Sequence, residues 1–282
     1  MPASGDYEGL TAAWCPGCGN FGILAAFKTA VAELGLAPHR FVIVSGIGQA
    51  GKFPHYTRCN TFNGLHGRTL PVATGIKLAN PSMPVIAVAG DGDAYGEGGN
   101  HLIHALRRNI DVAMVVHDNQ VYGLTKGQAS PTSMQGMKTK AQPRGAEARP
   151  LNPLALAVAL DCGFAARAYA GDREHLVRMM KEALSHKGFA LLDILQPCVT
   201  YNRVNTYQWF AKRVYRLDSS YDPADRAAAF AKALEFGERI PLGVIWLNDR
   251  PPYAGTVAAD EAAVCEKPFD PARLKGIMKE FY

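Results

Sequence analysis

Buried-strand patterns alternate with helical ones along the first two hundred residues, and that alternation leaves few folds open. "RFVIVSGIG" (40–48), "PVIAVAGDGD" (84–93), "DVAMVVHDN" (111–119) and "FALLDILQP" (189–197) are short apolar runs without polar alternation, as expected of strands covered on both faces. "GNFGILAAFKTAVAELGL" (19–36), "LPVATGIKLAN" (70–80), "NHLIHALRRN" (100–109), "PLALAVALDCG" (153–163) and residues 172–186 carry apolar side chains at helical spacing. A further short strand is expected near 164–169. Strands separated by helices pair in parallel through crossovers, which predicts an α/β fold: a doubly wound, mainly parallel sheet with helices on both faces. Ligands of such sheets gather at the carboxyl ends of the strands. Here those ends read "SGIGQAGK", "GDGD", "HDNQVYG" and "QPC".

The 282 residues suit one sizeable core. Residues 1–200 are read as one ligand-binding domain. Residues 201–282, with one clear helix at 223–237 and prolines at 241, 251 and 252, are read as an irregular C-terminal extension packed on the core or on a partner subunit. No apolar run reaches the ~18 residues of a spanning helix, and the first ten residues lack the marks of a secretory signal. Six cysteines in this length do not suggest a disulfide scaffold, so a reducing cytoplasm is expected. The net charge of +5 is spread along the chain, which argues against nucleic acid as a partner.

Two glycine turns compete for attention. "GIGQAG" (46–51) spells G-x-G-x-x-G, and with Lys52 it approaches a P-loop, but both motifs need a helix to follow at once. Phe53-Pro54 intervenes, "HYTRCNTFNGLHGR" reads as a loop, and Phe53 stands where a P-loop has its magnesium-binding hydroxyl. A nucleotide-binding regulatory protein is therefore the weaker reading. "GDGD" (90–93) gains weight from Asn119, twenty-eight residues later at the next strand end. Adjacent parallel strands then present a carboxylate from Asp91 and an amide oxygen from Asn119 to one hard cation, with the Val121 carbonyl as a third oxygen. Magnesium prefers such ligands and completes its shell with phosphates and water. The glycines flanking Asp91 would let a diphosphate approach the backbone.

"CPGCGNFG", "GLHGRTLPVATGIKLANP", "GDGDAYGEGG", "DNQVYGLTKGQASPTS" and "LQPCVTYN", taken in order, resemble the β subunit of 2-oxoacid:ferredoxin oxidoreductases over roughly residues 11–220. The resemblance implies thiamine diphosphate held through Mg²⁺ by Asp91, Asn119 and Val121, with Gly46, Ile47, Gly48, His66, Gly90, Gly92, Asp93, Gly123, Leu124 and Thr125 also around the cofactor. It implies oxidative decarboxylation of a 2-oxoacid with coenzyme A, electrons passing one at a time to ferredoxin. It also implies a partner α subunit, with a fused or separate γ domain, that supplies the glutamate activating the aminopyrimidine. The assembly expected is a heterodimer or a dimer of heterodimers.

By itself "WCPGCGN" (14–20) suits zinc, a redox disulfide or an iron–sulfur cluster. No second cysteine pair accompanies it, and no strand precedes it as in a thioredoxin-like motif. The resemblance implies a [4Fe–4S] cluster on Cys15, Cys18 and Cys198. Most relatives have G-I-G-C at the glycine turn where this chain has Gln49, so Cys59 in "YTRCN" is the expected fourth ligand, with a non-cysteine ligand or a compromised cluster as the other readings. Cys162 and Cys265 read as ordinary thiols.

A substrate carboxylate needs a cation, and Lys52 and Lys126 are the candidates. Arg68 beside His66 is a further candidate contact. His39, His175 and His186 stand outside any motif and are expected at the surface. "NTYQWFAKRVYRLD" (205–218) resembles the shorter enzymes that take 2-oxoglutarate, which favours that substrate over pyruvate. A thiamine-dependent decarboxylase subunit without a cluster is the remaining alternative.

Overall fold

The computed structural model describes residues 2–253 and 271–281. In chain order the strands are β1 (Val42–Ser45), β2 (Asn60–Asn63), β3 (Val85–Gly90), β4 (Ala113–Asp118), β5 (Val121–Tyr122), β6 (Gln128–Ala129), β7 (Phe164–Tyr169), β8 (Ala190–Leu195), β9 (Val214–Arg216) and β10 (Ile240–Leu247). The helices are α1 (Gly19–Glu33), α2 (Thr69–Ala79), α3 (Gly99–Arg108), α4 (Pro153–Ala159), α5 (Arg173–Ser185), α6 (Tyr207–Ala211), α7 (Arg226–Leu234) and α8 (Pro271–Lys279). The main sheet has the order β2-β1-β3-β4-β8-β7-β10-β9. From β2 to β7 all neighbours run parallel, and β10 reverses against β7 with β9 alongside it. No described helix is long and apolar enough to cross a membrane.

Side chains alternate across each strand, so every central strand feeds two cores. Val42, Val44, Val85 and Ala87 meet α2, α3, α4 and α7 on one face. Ile43, Ile86, Val88 and Leu192 meet α1 and α5 on the other. In α1 the buried Ile23, Phe27, Ala30 and Val31 repeat at three- and four-residue steps, the stripe a surface helix needs to dock. Asn152 and Asp172 cap α4 and α5 by accepting from Ala155 N and His175 N.

Three readings need correction. The expected loop "HYTRCNTFNGLHGR" contains β2, an edge strand whose four residues are all exposed and so carry no apolar signal. The region expected to be irregular contains β9, α6, α7 and β10, and β10 is buried along most of its length between β7 and β9. His175, expected at the surface, is 1% exposed, and burial pushes its pKa down to about 4. Cys162 is fully buried, and Cys265 lies outside the described residues.

α3 ends on Asn109 in the left-handed conformation (φ 56°). Its amide nitrogen donates to the Arg250 and Pro251 carbonyls, and its Oδ1 accepts from Phe189 N at 2.9 Å. One side chain thereby ties the helix end to β8 and to the segment after β10. Asn109→Ala should leave the Phe189 amide buried without a partner and keep a strained backbone. We expect a loss of about 2–4 kcal/mol in urea denaturation.

Candidate active site

The register of β3 and β4 pairs Gly90 with His117, so the two chains leave the sheet side by side at its carboxyl edge. Asp91 and Asn119 follow directly, and both line a cleft of about 490 Å³ that is continuous with solvent. Ile47 and Gly48 from the turn after β1, His66, Gly90, Gly92 and Asp93 complete its sides, with Val121, Gly123, Leu124 and Thr125 from the β5 region. Of the residues expected around a cofactor, only Gly46 stands behind this wall. The reason is Asp93, since a Cβ on Gly46 would lie 2.1 Å from Asp93 Oδ2.

Asp91 is 1% exposed, and its Oδ2 accepts from Ser130 Oγ at 2.5 Å and Thr132 Oγ1 at 2.7 Å. Burial raises its pKa, and the two hydroxyls work against that rise by stabilising the charge. Asn119 Oδ1 accepts from Val121 N at 3.0 Å, which fixes the turn into β5. Carboxylate, amide and carbonyl oxygens on adjacent strand ends are the donor set a magnesium ion takes. The glycines leave the backbone bare: beyond Gly90 a Cβ would meet only Ala50 Cβ, at 3.9 Å. At Gly92 a Cβ would sit 2.3 Å from the Tyr122 ring, so only glycine lets that ring close the cleft.

Asp93 gathers three segments. Its Oδ1 accepts from Ile47 N (3.1 Å) and Gly67 N (2.7 Å), and its Oδ2 accepts from Thr69 Oγ1 (3.1 Å). His66 Nδ1 also meets Oδ1 at 2.5 Å, while His66 Nε2 lies 3.4 Å from Glu97 Oε2. Glu97 in turn accepts from the Tyr122 hydroxyl. One buried carboxylate therefore sets both the glycine turn and the imidazole at the cleft.

A second cavity, about 380 Å³ and likewise open, adjoins the first and shares Gln49, Asn119 and Gly123 with it. It is lined by Trp14, Cys15, Cys18, Asn20, Gln196, Cys198 and Tyr201, among others. Cys18 is the N-cap of α1, and Gly17 (φ 80°) makes the tight turn that brings Cys15 back toward it. Gly19 packs so closely on the end of β8 that a Cβ would lie 2.7 Å from Gln196 Cγ, and its N–H donates to Pro197 O. This close approach sets Cys18 beside Cys198. Burial pushes the Cys18 thiol up to about 11, against hydrogen bonds from Asn20 N and Gln196 Nε2. Gln49 Oε1, Gln196 Oε1 and Asn20 Nδ2 are buried around the thiols without hydrogen-bond partners. Three thiols and spare amide groups about one cavity fit an iron–sulfur cluster. Among the described residues no three His, Cys, Asp or Glu side chains, these thiols included, are gathered about a site for a single metal ion.

Cys59 is the correction. It directly precedes β2, whose first residue pairs with Val42 at the start of β1, so it sits at the amino edge of the sheet. It packs against the core beside α1, and burial raises its pKa to about 12. The ten-residue reach from Gln49 was sufficient, but the chain runs back down the sheet. Lys52 and Lys126 line neither cavity. Lys52 lies in the 3₁₀ turn after Ala50, and Lys126, exposed, has the left-handed φ of 77° in the β5–β6 turn. Lys126 directly follows the wall residue Thr125, and Lys52 lies two residues beyond Ala50 of the wall. Arg68 donates to the Gly67 and Glu97 carbonyls. Ser130 and Thr132, in the long loop after β6, were missed; "ASPTS" gives no sign that its hydroxyls turn back onto a strand end.

The family description "Thiamine pyrophosphate enzyme, C-terminal TPP binding domain" matches residues 42–194, and the family of the C-terminal part of the pyruvate ferredoxin oxidoreductase beta subunit matches residues 198–260. The chain is 46% identical to a 2-oxoacid:ferredoxin oxidoreductase subunit beta of Sulfolobus sp, over 92% of this chain and 89% of that one. It is 47% identical to the 2-oxoglutarate oxidoreductase subunit KorB of Mycobacterium tuberculosis, over 67% of this chain and 51% of that one. The 2-oxoglutarate:ferredoxin oxidoreductase from Magnetococcus marinus, solved with 2-oxoglutarate, coenzyme A and succinyl-CoA bound, superposes with a TM-score of 0.90. That match is 33% identical and covers 98% of this chain and 96% of that one.

Asp93→Asn replaces an acceptor with an amide that must turn a donor toward Ile47 N, Gly67 N or Thr69. Calorimetric titration with thiamine pyrophosphate and magnesium should give at least about tenfold weaker binding, the equivalent of one lost charge-assisted hydrogen bond. Unaltered affinity would mean that the turn and His66 hold their places without it.

Proposed function

The chain belongs to the 2-oxoacid:ferredoxin oxidoreductase β subunits, and from that premise we propose that it is the cofactor-bearing half of a cytoplasmic 2-oxoglutarate:ferredoxin oxidoreductase. Thiamine diphosphate supplies a carbanion for decarboxylation, and a [4Fe–4S] cluster a one-electron acceptor. Asp91, Asn119 and the Val121 carbonyl would hold Mg²⁺ for the diphosphate, and Gly90 and Gly48, with room beside them, would let it reach the backbone. Ile47, 37% exposed at the cleft, offers an apolar surface to a ring. Cys15, Cys18 and Cys198 hold the cluster. The observation that carries this reading is the shared wall: Gln49, Asn119 and Gly123 border both the cleft and the cysteine cavity.

The half-site follows from how the local acids are occupied. Asp91 is taken by Ser130 and Thr132, and Asp93 by Ile47, His66, Gly67 and Thr69. Glu97, at the rim, is engaged with Tyr122 and His66. None is left to activate an aminopyrimidine, so the partner α subunit provides that glutamate. Coenzyme A and ferredoxin meet the assembled enzyme.

For the substrate, the names of the Mycobacterium and Magnetococcus proteins support 2-oxoglutarate, while the description matching residues 198–260 favours pyruvate. The complex purified anaerobically from co-expression should reduce ferredoxin with 2-oxoglutarate and coenzyme A, and faster than with pyruvate. Faster turnover of pyruvate would reverse the substrate assignment. Asp91→Ala should lose thiamine diphosphate, read as cofactor per chain after gel filtration, and retention of the full complement would remove the Mg²⁺ assignment.

Lys126, directly after Thr125 of the cleft wall, and Lys52, two residues beyond Ala50, are proposed to meet the substrate carboxylates by charge. Lys126→Met or Lys52→Met should cost about 1.5–3 kcal/mol, or roughly 10- to 150-fold in kcat/KM for 2-oxoglutarate. Kinetics unchanged in both variants would assign these lysines to the solvated surface.

A further inference from the structure

The cysteine cavity has three thiols and four corners to fill. Cys59 lies at the other edge of the sheet. Cys162 is fully buried after α4, where its carbonyl accepts from Trp246 Nε1 at 2.7 Å. Gln49 occupies the wall between the cavity and the cleft, its backbone carbonyl fixed by Trp14 Nε1 at 2.9 Å. Its Oε1 is buried with no partner, as are Gln196 Oε1 and Asn20 Nδ2 on the same wall. We infer, on the reading that a cluster occupies this cavity, that among the described residues Cys15, Cys18 and Cys198 are its whole thiolate set and that Gln49 stands where a fourth ligand would be. A cluster held there would lack a protein thiolate at the Gln49 position and would take an exchangeable ligand in its place.

The chemistry of Gln49 sets this outcome. Its amide oxygen is hard and neutral, whereas iron in a sulfide cluster is held by soft anionic thiolates. An amide at that corner therefore fills space and offers hydrogen bonds without anchoring the metal. Gln196 Nε2 already donates to Cys18 Sγ at 3.4 Å, and amide donors around cluster sulfurs tune the potential. The corner without a thiolate is the one that oxidation should empty. Ferricyanide removes one electron from a [4Fe–4S]²⁺ core, which releases one Fe²⁺ and leaves [3Fe–4S]⁺; the electron reduces ferricyanide to ferrocyanide.

The test uses the anaerobic complex, with iron and sulfide counted first. One equivalent of ferricyanide per cluster should release about one Fe²⁺ per cluster, captured by a colorimetric chelator, with a [3Fe–4S]⁺ EPR signal appearing in step. Gln49→Cys should slow that release at least about tenfold and keep the [4Fe–4S] signature. Cys59→Ser and Cys265→Ser should leave the iron count unchanged, and Cys15→Ser or Cys198→Ser should lower it. A wild-type cluster that resists oxidation as well as Gln49→Cys does would overturn the inference alone, as would loss of iron in Cys59→Ser or Cys265→Ser. Absence of iron and sulfide from the wild-type complex would remove the cluster reading and this inference together. The wild-type measurement stands even if Gln49→Cys does not fold.

Discussion

Two buried carboxylates on one strand end organise everything around this cleft. β3 runs into "GDGD", and Asp91 and Asp93 leave it in different directions, each to be solvated by protein in place of water. Asp93 takes its donors from the turn after β1 and from the loop before α2; Asp91 takes its donors from the loop after β6. An ionised carboxylate buried without such donors would cost several kcal/mol. Those loops are therefore bound to close on the strand end, and the cleft exists because they do. The intervening Gly92 gives the Tyr122 ring its place, so the same four residues set both the floor and one side.

Behind this edge the sheet carries more charge than a core normally accepts. Asp118 and Asp193 are buried, and burial raises both pKa values, while Arg167, also fully buried, is lowered by the same effect. The guanidinium and Asp193 sit on paired residues of β7 and β8, and Tyr95 donates to Asp193 Oδ1 at 2.7 Å. Thr132 links this layer to the cleft, donating toward Asp91 and lying 2.7 Å from Asp118 Oδ1. Substitutions in this layer are coupled to Asp91 through one hydroxyl, so their effects will not add to those at the cleft.

The parts of this arrangement that could be read from the sequence are those with a strong local pattern. β1, β3, β4 and β8 are apolar runs ending in glycine or acid, and their parallel pairing makes Asp91 and Asn119 neighbours from the pattern alone. β2 carries Asn, Thr, Phe and Asn, all exposed, and an edge strand held by one neighbour needs no apolar code. That single omission misplaced Cys59, because a loop leaves direction open and a parallel strand does not. β10 was obscured by Pro241 and by Gly243, whose φ of 138° adjoins the irregular register around Val244. Ser130 and Thr132 act at a separation of about forty residues from Asp91, a contact that only the folded loop makes.

Gln49 joins the cleft to the cysteine cavity. The turn that carries it is fixed from two sides, by Asp93 on Ile47 N and by Trp14 on the Gln49 carbonyl. Trp14 is itself held edge-on between Phe21 of α1 and Tyr56, so the cysteine segment and the glycine turn are tied to one another through this ring. On the proposed reading a donor and an acceptor of single electrons would occupy two cavities that share Gln49, Asn119 and Gly123 as their common wall. The side chain at that position is thus set by two demands at once: it must wall the cleft, and it must face whatever the three cysteines hold. Glutamine meets the first demand by size, and on the proposed reading it would leave at the second a corner that a thiolate would have closed.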